Sequence, residues 1–268
     1  MIKHSQLKQI SWVIFFSAFV IIILAGIGFL ITTNILFLGF SDFMYYLQKS
    51  RTWINIATTI WTASIATVLS MFVGIPVGYM LARYKFPCQK FMETLIDLPV
   101  MVPPAAVGIF LLGLFKTFPL SSATSILGIK VDHALSGVIV AQFTVTVSFC
   151  IRLTMASFKT VSPRYEYVGR SLGASLPYAF FKISLPLAKN SLLVALIIVW
   201  ARSCAEWESL MLFVGGIQGR TDVMPFAVYL DFVGGKLGWA LTTSMFCVLI
   251  AIVSMYAVHR IGGKVHVR

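Results

Sequence analysis

A chain of 268 residues that is 59% hydrophobic and 11% charged carries more apolar side chain than a soluble domain can bury. A mean hydropathy of +0.91 excludes a disordered chain and argues against a soluble enzyme. The balance of 21 Lys and Arg against 9 Asp and Glu, net +12, would suggest nucleic acid on a soluble protein but marks cytoplasmic loops on a membrane protein.

Six apolar runs are long enough to be read as membrane helices, which need about 20 residues each. They fall at 10–38, 54–82, 97–115, 134–151, 188–214 and 239–258. The first exceeds the 7–15 residue core of a signal peptide and is read as a retained span. The runs lack the alternation of barrel strands, and a lipid-facing backbone must satisfy its own hydrogen bonds, so helices are expected. Six spans put both termini on one side. That side holds fourteen Lys and Arg, including Lys3, Lys8, Arg83, Arg152, Arg170, Lys182 and Arg268, against six on the other, including Lys49, Arg51, Lys130, Arg220 and Lys236. The positive-inside rule therefore places both termini in the cytoplasm of a multi-pass cell-membrane protein. Arg202 falls inside a run.

Several classes of chemistry lack their residues. Cys88, Cys150, Cys204 and Cys247 form no CxxC pair, and His4, His133, His259 and His266 are scattered. No HExxH or nucleophile–base pattern occurs, so no catalytic residue, metal site or cofactor is expected. Gly234-Gly235-Lys236 and Gly262-Gly263-Lys264 lack the other glycine and the hydroxyl residue of a phosphate-cradling loop, so this chain has no nucleotide site of its own.

The longest stretch on the basic side runs from Arg152 to Lys189. Ser162-Pro163 reads as an N-cap with Pro at the first helical position. A helix through Arg164 to Leu172 should stop at Gly173. Ser175 and Pro177 start a second short helix, Tyr178 to Ser184, ended by Pro186. Leu172, Ala174, Leu176, Phe180, Phe181 and Ile183 are too apolar for a solvated hairpin, which suggests a partner for this knob; a plain amphipathic surface element is the other reading.

Gly173, Ile183, Leu185 and Pro186 have the spacing of the "EAA" loop of ABC importer permeases: EAA, three residues, Gly, nine residues, I-x-L-P. From about Thr59 to Leu241 the chain resembles the molybdate/tungstate and sulfate branch of that family, on several motifs in order: Gly74-Ile75-Pro76, Leu81-Ala82-Arg83-Tyr84, Asp97-Leu98-Pro99 with Pro103, Pro104 and Gly108, Ala201-Arg202 with Glu206-Trp207, and Thr221, Pro225, Val228, Tyr229. The EAA positions themselves are Tyr167, Val168 and Gly169, and the nearby acid, Glu166, stands one residue early: either Glu166 replaces the family's glutamate or that contact is absent.

The resemblance implies an all-α permease like those of type I ABC importers, about six spans with a cytoplasmic coupling helix. It would be one domain over 1–268: an N-terminal span and external loop over 1–53, core spans over 54–258, and a coupling loop over 159–186. It implies a second permease copy, two ABC ATPase subunits on the cytoplasmic side, an extracytoplasmic oxyanion-binding protein, surrounding lipid and no nucleic acid. Glu166, Tyr167, Gly169, Leu172, Gly173, Ala174, Ile183, Leu185 and Pro186 would serve ATPase coupling. The cargo implied is molybdate or tungstate, with sulfate/thiosulfate the alternative. A secondary transporter would want inverted repeats and midplane carboxylates, which are not evident.

Arg202 and Glu206 share a helix face at i,i+4 in the fifth run. They read as part of the path or outer gate, or else as an orienting ion pair. Pro76 should kink the second span, and Gly74 with Gly78 makes a GxxxG contact motif. Pro99, Pro103 and Pro104 read as a bend lining the path or as interface punctuation, and a break is expected in the fifth run between Ser203 and Glu208.

Overall fold

The computed structural model describes residues 2–117, 133–217 and 221–262. Lys130, Arg220, Gly263, Lys264, His266 and Arg268, used above for charge and motif arguments, lie outside them. Every regular element among the described residues is helical. In chain order these are α1 (Ile2–Leu38), α2 (Phe40–Leu47), α3 (Ser50–Arg83), α4 (Gln89–Met101), α5 (Pro104–Lys116), α6 (Leu135–Lys159), α7 (Arg164–Ser171), α8 (Leu176–Ala179), α9 (Leu185–Cys204), α10 (Glu208–Phe213), α11 (Met224–Val233) and α12 (Leu237–Gly262). A π-helical turn, Phe180–Ser184, joins α8 to α9.

The bundle is organised by one seam between α3 and α6. Ser70 Oγ lies 3.1 Å from Thr146 Oγ1, and Thr154 Oγ1 donates to Gly74 O at 2.7 Å. A Cβ on Gly74 would sit 2.5 Å from Cys150 Sγ, and one on Gly78 would sit 2.7 Å from the Met155 backbone nitrogen. The pairs 70/146, 74/150 and 78/154 advance together, so α3 and α6 are parallel. Small residues at every fourth position let the two backbones touch, which is how helices associate where no water drives them together. Gly78→Ala is expected to lower the unfolding midpoint in detergent by the equivalent of about 1–3 kcal/mol, because a Cβ there meets the Met155 backbone as well as the hydrogen-bonded Thr154 Oγ1. Gly26→Ala, with nothing within 4 Å, is expected to cost nothing; equal effects from both would refute the seam.

The parallel seam has a topological consequence. If α3 and α6 run in the same direction, the chain between them must return across the bundle. Only α4 and α5 are available among the described residues, and they meet at 105°. The third apolar run is therefore not one straight helix over 97–115 but two thirteen-residue helices that together form one broken crossing. The cause is local. Val102 precedes Pro103 and Pro103 precedes Pro104, and the residue before a proline is driven from the helical region; both sit extended, at ψ 136° and 133°. Pro104 then starts α5, where its missing N–H costs nothing.

Three other boundaries move. The fourth run does not stop at 151: α6 continues to Lys159, carrying Arg152 within the helix, where it is ion-paired with Asp97 of α4. The fifth run starts earlier, at Leu185, and breaks at Ala205–Trp207 before α10. α11, in the stretch read as an external loop, is a ten-residue helix with Met224, Phe226, Ala227 and Asp231 buried. α9 runs antiparallel to α3 and α6: Leu192 packs beside Tyr79 and Phe158, Val199 beside Met71 and Cys150, and Ser203 accepts from Gln142. The main core cluster joins Val107 and Leu111 of α5, Val138, Ala141 and Val145 of α6, and Leu210, Phe213 and Phe226.

Candidate functional site

The knob is built as punctuation dictates, with one exception. Ser162 Oγ accepts weakly from Arg164 N at 3.4 Å, and Ser175 Oγ caps α8 through Tyr178 N. α7 ends in a Schellman arrangement: Ala174 N donates to Gly169 O at 3.0 Å and Gly173 N to Arg170 O at 2.9 Å. That closure needs a left-handed residue, and Gly173 has φ +94°. The exception is Pro186. It does not end the second helix; the chain runs through the π turn straight into α9, with Leu185 N bonded to Phe180 O. A proline clashes with the carbonyl four residues back, and a widened turn just before it relieves that clash.

The knob's outward surface sets large apolar side chains among the exposed Arg164, Arg170 and Lys182. Leu172 is 84% exposed, and Tyr165, Tyr167, Val168, Leu176 and Phe181 are also exposed. Gly169 faces inward instead, with a Cβ there falling 2.5 Å from Ile183 Cδ1. Glu166 is buried as well. Its Oε1 accepts from Arg83 Nε at 2.6 Å and from Ser184 Oγ at 2.5 Å, and its Oε2 accepts from Tyr79 OH at 2.8 Å. Arg83 Nη2 also donates to Val161 O at 2.9 Å. Tyr79 in turn packs edge-on against Phe180 and Phe158.

A second polar centre lies where α9 breaks. Arg202 Nη1 donates to Glu206 Oε2 at 2.8 Å, and Glu206 is 2% exposed. Glu206 Oε1 accepts from Ser209 N at 3.1 Å and Ser209 Oγ at 2.9 Å, which fastens the first turn of α10. Gly108 of α5 approaches so closely that its Cβ would lie 2.5 Å from Ser209 O. Pro103 and Pro104 form the corner about one turn before Gly108 and make no hydrogen-bonded contact with Arg202 or Glu206.

Residues 74–263 match the family described as binding-protein-dependent transport system inner membrane component. The chain belongs to that family. It is similar to the molybdate/tungstate transport system permease protein WtpB of Methanocaldococcus jannaschii, 30% identical over 211 residues, 79% of this chain and 82% of that one. It is also similar to the sulfate transport system permease protein CysT of Salmonella typhimurium, 26% identical over 64% of this chain and 62% of that one. Among solved structures it resembles the crystal structure of a bacterial alginate ABC transporter in complex with an alginate pentasaccharide-bound periplasmic protein. There the TM-score is 0.67 with 17% identity, over 85% of this chain and 84% of that one, which shows the shared fold.

As a permease of this family, the chain is a multi-pass membrane protein in which the α9 break packs against the broken span and the knob lies apart from both. Two further charge pairs were not singled out from sequence. Arg51, at the start of α3, holds Asp231 of α11 at 2.9 Å and lies over the Trp239 ring. Asp97 pairs with Arg152 across α4 and α6. Thr59 Oγ1 likewise accepts from Met224 N at 2.7 Å, tying α11 to α3. Each joins residues at least 55 apart in sequence, which no local motif displays. An acid inside an apolar run, as with Asp231, was the available signal.

Proposed function

We propose that the chain is the translocation subunit of an ATP-driven importer for a tetrahedral oxyanion, molybdate or tungstate first, forming its path as a pair of identical copies. The observation that carries the reading is the similarity to WtpB over 79% of the chain together with the EAA-type knob. An exposed apolar knob on the same end of the bundle as the basic flanks supports docking to a separate ATPase, and that end is the cytoplasmic one by charge. Tyr167, Leu172 and the Gly173–Ala174 turn would meet the ATPase surface. Gly169, Ile183, Leu185 and Pro186 would shape the knob behind them. An extracytoplasmic binding protein would deliver the anion to the opposite end, where Arg202 and Glu206 lie beside the α5–α10 contact. The whole chain acts as one permease domain.

The similarity to CysT favours sulfate as the second reading. Proteoliposomes holding this chain with its ATPase and binding protein, loaded with ATP, are expected to take up labelled molybdate, with tungstate competing and sulfate competing poorly. Preferential sulfate uptake would replace the cargo assignment. Uptake by this chain without ATPase or ATP would overturn the reading altogether.

A further inference from the structure

A residue that touches a partner must be exposed, and Glu166 is not. It lies on the inner side of α7, opposite Tyr165, Tyr167 and Val168, with both carboxylate oxygens occupied by groups of its own chain. Those groups come from separate segments. Tyr79 and Arg83 belong to the last turns of α3, and Ser184 ends the π turn that leads into α9. Through Arg83 the turn after α6 is held too, at Val161 O. One carboxylate is therefore the meeting point of α3, α7, the α6–α7 turn and the start of α9. It sits on the aromatic cluster of Tyr79, Phe158 and Phe180, where charge-assisted bonds are short and strong.

The knob's covalent links are poorer carriers of force. On one side it is joined by a four-residue turn, and on the other by Gly173 in the left-handed region followed by the single turn of α8. With α7 free to pivot there, a push on Leu172 and Tyr167 would be spent at the hinge.

We propose that Glu166 is a positioning residue for coupling: its carboxylate clamps the knob to the inner end of α3, so that movement of the knob is delivered to α3 and, through the α3–α6 seam, to the bundle. This rests on the permease reading above and gives Glu166 a role that does not require contact with the ATPase. The chemistry is specific to a carboxylate, because the donors that converge on it include a guanidinium as well as two hydroxyls.

The test uses the complete complex in proteoliposomes and measures three quantities: ATPase bound per permease, ATP hydrolysed, and oxyanion taken up per ATP. Glu166→Gln keeps the shape and removes the charge. Tyr79→Phe keeps the ring packing and removes one hydrogen bond, so it remains informative should the first variant fold poorly. Both are expected to bind ATPase as the unaltered complex does, while uptake per ATP falls at least about tenfold for Glu166→Gln, which takes the charge from all three bonds, and less for Tyr79→Phe, which removes one of them. The double variant is expected to be no worse in that ratio than Glu166→Gln, because both changes open the same joint. Loss of ATPase binding in either folded variant would make Glu166 a docking contact and overturn the clamp. So would uptake and hydrolysis falling in equal proportion, or an unchanged ratio. An unaltered complex that shows no ATP-dependent uptake overturns the permease reading, and the clamp with it.

Discussion

Arg83→Met is expected to be the most damaging single substitution at the knob end of the bundle. The Arg83 and Glu166 side chains are 6% and 10% exposed. Removing one partner of a buried pair strands the other, at a cost of about 3–5 kcal/mol. The pH dependence supplies a second signature. Burial by itself raises the Glu166 carboxyl, but the hydrogen bonds from Ser184, Tyr79 and Arg83 and the guanidinium charge outweigh it, and hold it below the ordinary value of 4.5. A group with a depressed folded pKa contributes stability that is complete above its unfolded pKa and lost as pH falls through the folded one. The unaltered knob should therefore be indifferent to pH from neutral down to the ordinary carboxylate range. Without Arg83, two of the four lowering influences are gone, so the carboxyl moves up and the stability it still supplies is lost at a higher pH on acidification than in the parent. Replacing both residues, as Arg83→Met with Glu166→Leu, should recover much of the stability, because a well-packed apolar pair often equals a buried ion pair. It should not recover coupling. Unfolding midpoints in detergent across pH read the first three statements; an Arg83→Met protein as stable as its parent at pH 7 would sink them.

That pair also illustrates what the sequence could and could not disclose. The spans were legible because 59% apolar composition must be spent somewhere, and uninterrupted runs leave few choices. The knob was legible because Ser162-Pro163, Gly173 and Ser175 each act within four residues of themselves. Orientation on the helix was harder. In α7 the exposed face carries Tyr165, Tyr167 and Val168, while the inner face carries Glu166 and Gly169. This reverses the usual amphipathic pattern, in which apolar residues face the core. It makes sense only if the outer face has a partner and the inner acid has its own, and the inner partners, Tyr79 and Arg83, lie more than eighty residues earlier. The overshoot of α6 has the same origin. Arg152 reads as the end of a span until Asp97, 55 residues before it, is brought alongside. The 105° corner is intermediate: three prolines announce a bend, but its size depends on two successive residues held extended.

Glu206 carries the second large effect. Its carboxylate does two things at once, pairing with Arg202 and accepting from both Ser209 N and Ser209 Oγ. Ser209 is also the backbone against which Gly108 is pressed, so Glu206 fixes the break in α9 to α5, the second half of the broken span. Glu206→Ala leaves the Ser209 N–H buried without an acceptor, costing about 1–3 kcal/mol. It also leaves Arg202 unpaired, though that side chain is 36% exposed and its share is correspondingly small. Glu206→Gln keeps an acceptor for Ser209 and loses the ion pair, so it should cost no more than about 1 kcal/mol. If fastening α10 to α5 is what transport needs, uptake should fall at least about tenfold, or ~1.4 kcal/mol, in Glu206→Ala and stay near the parent in Glu206→Gln. If instead the charge itself moderates the Arg202 field along an anion path, the two variants should be equally impaired, because both leave the guanidinium uncompensated. Uptake rates of the two variants side by side, at matched protein incorporation, therefore separate a structural fastening from an electrostatic gate. The three hydrogen bonds on one buried carboxylate favour the fastening.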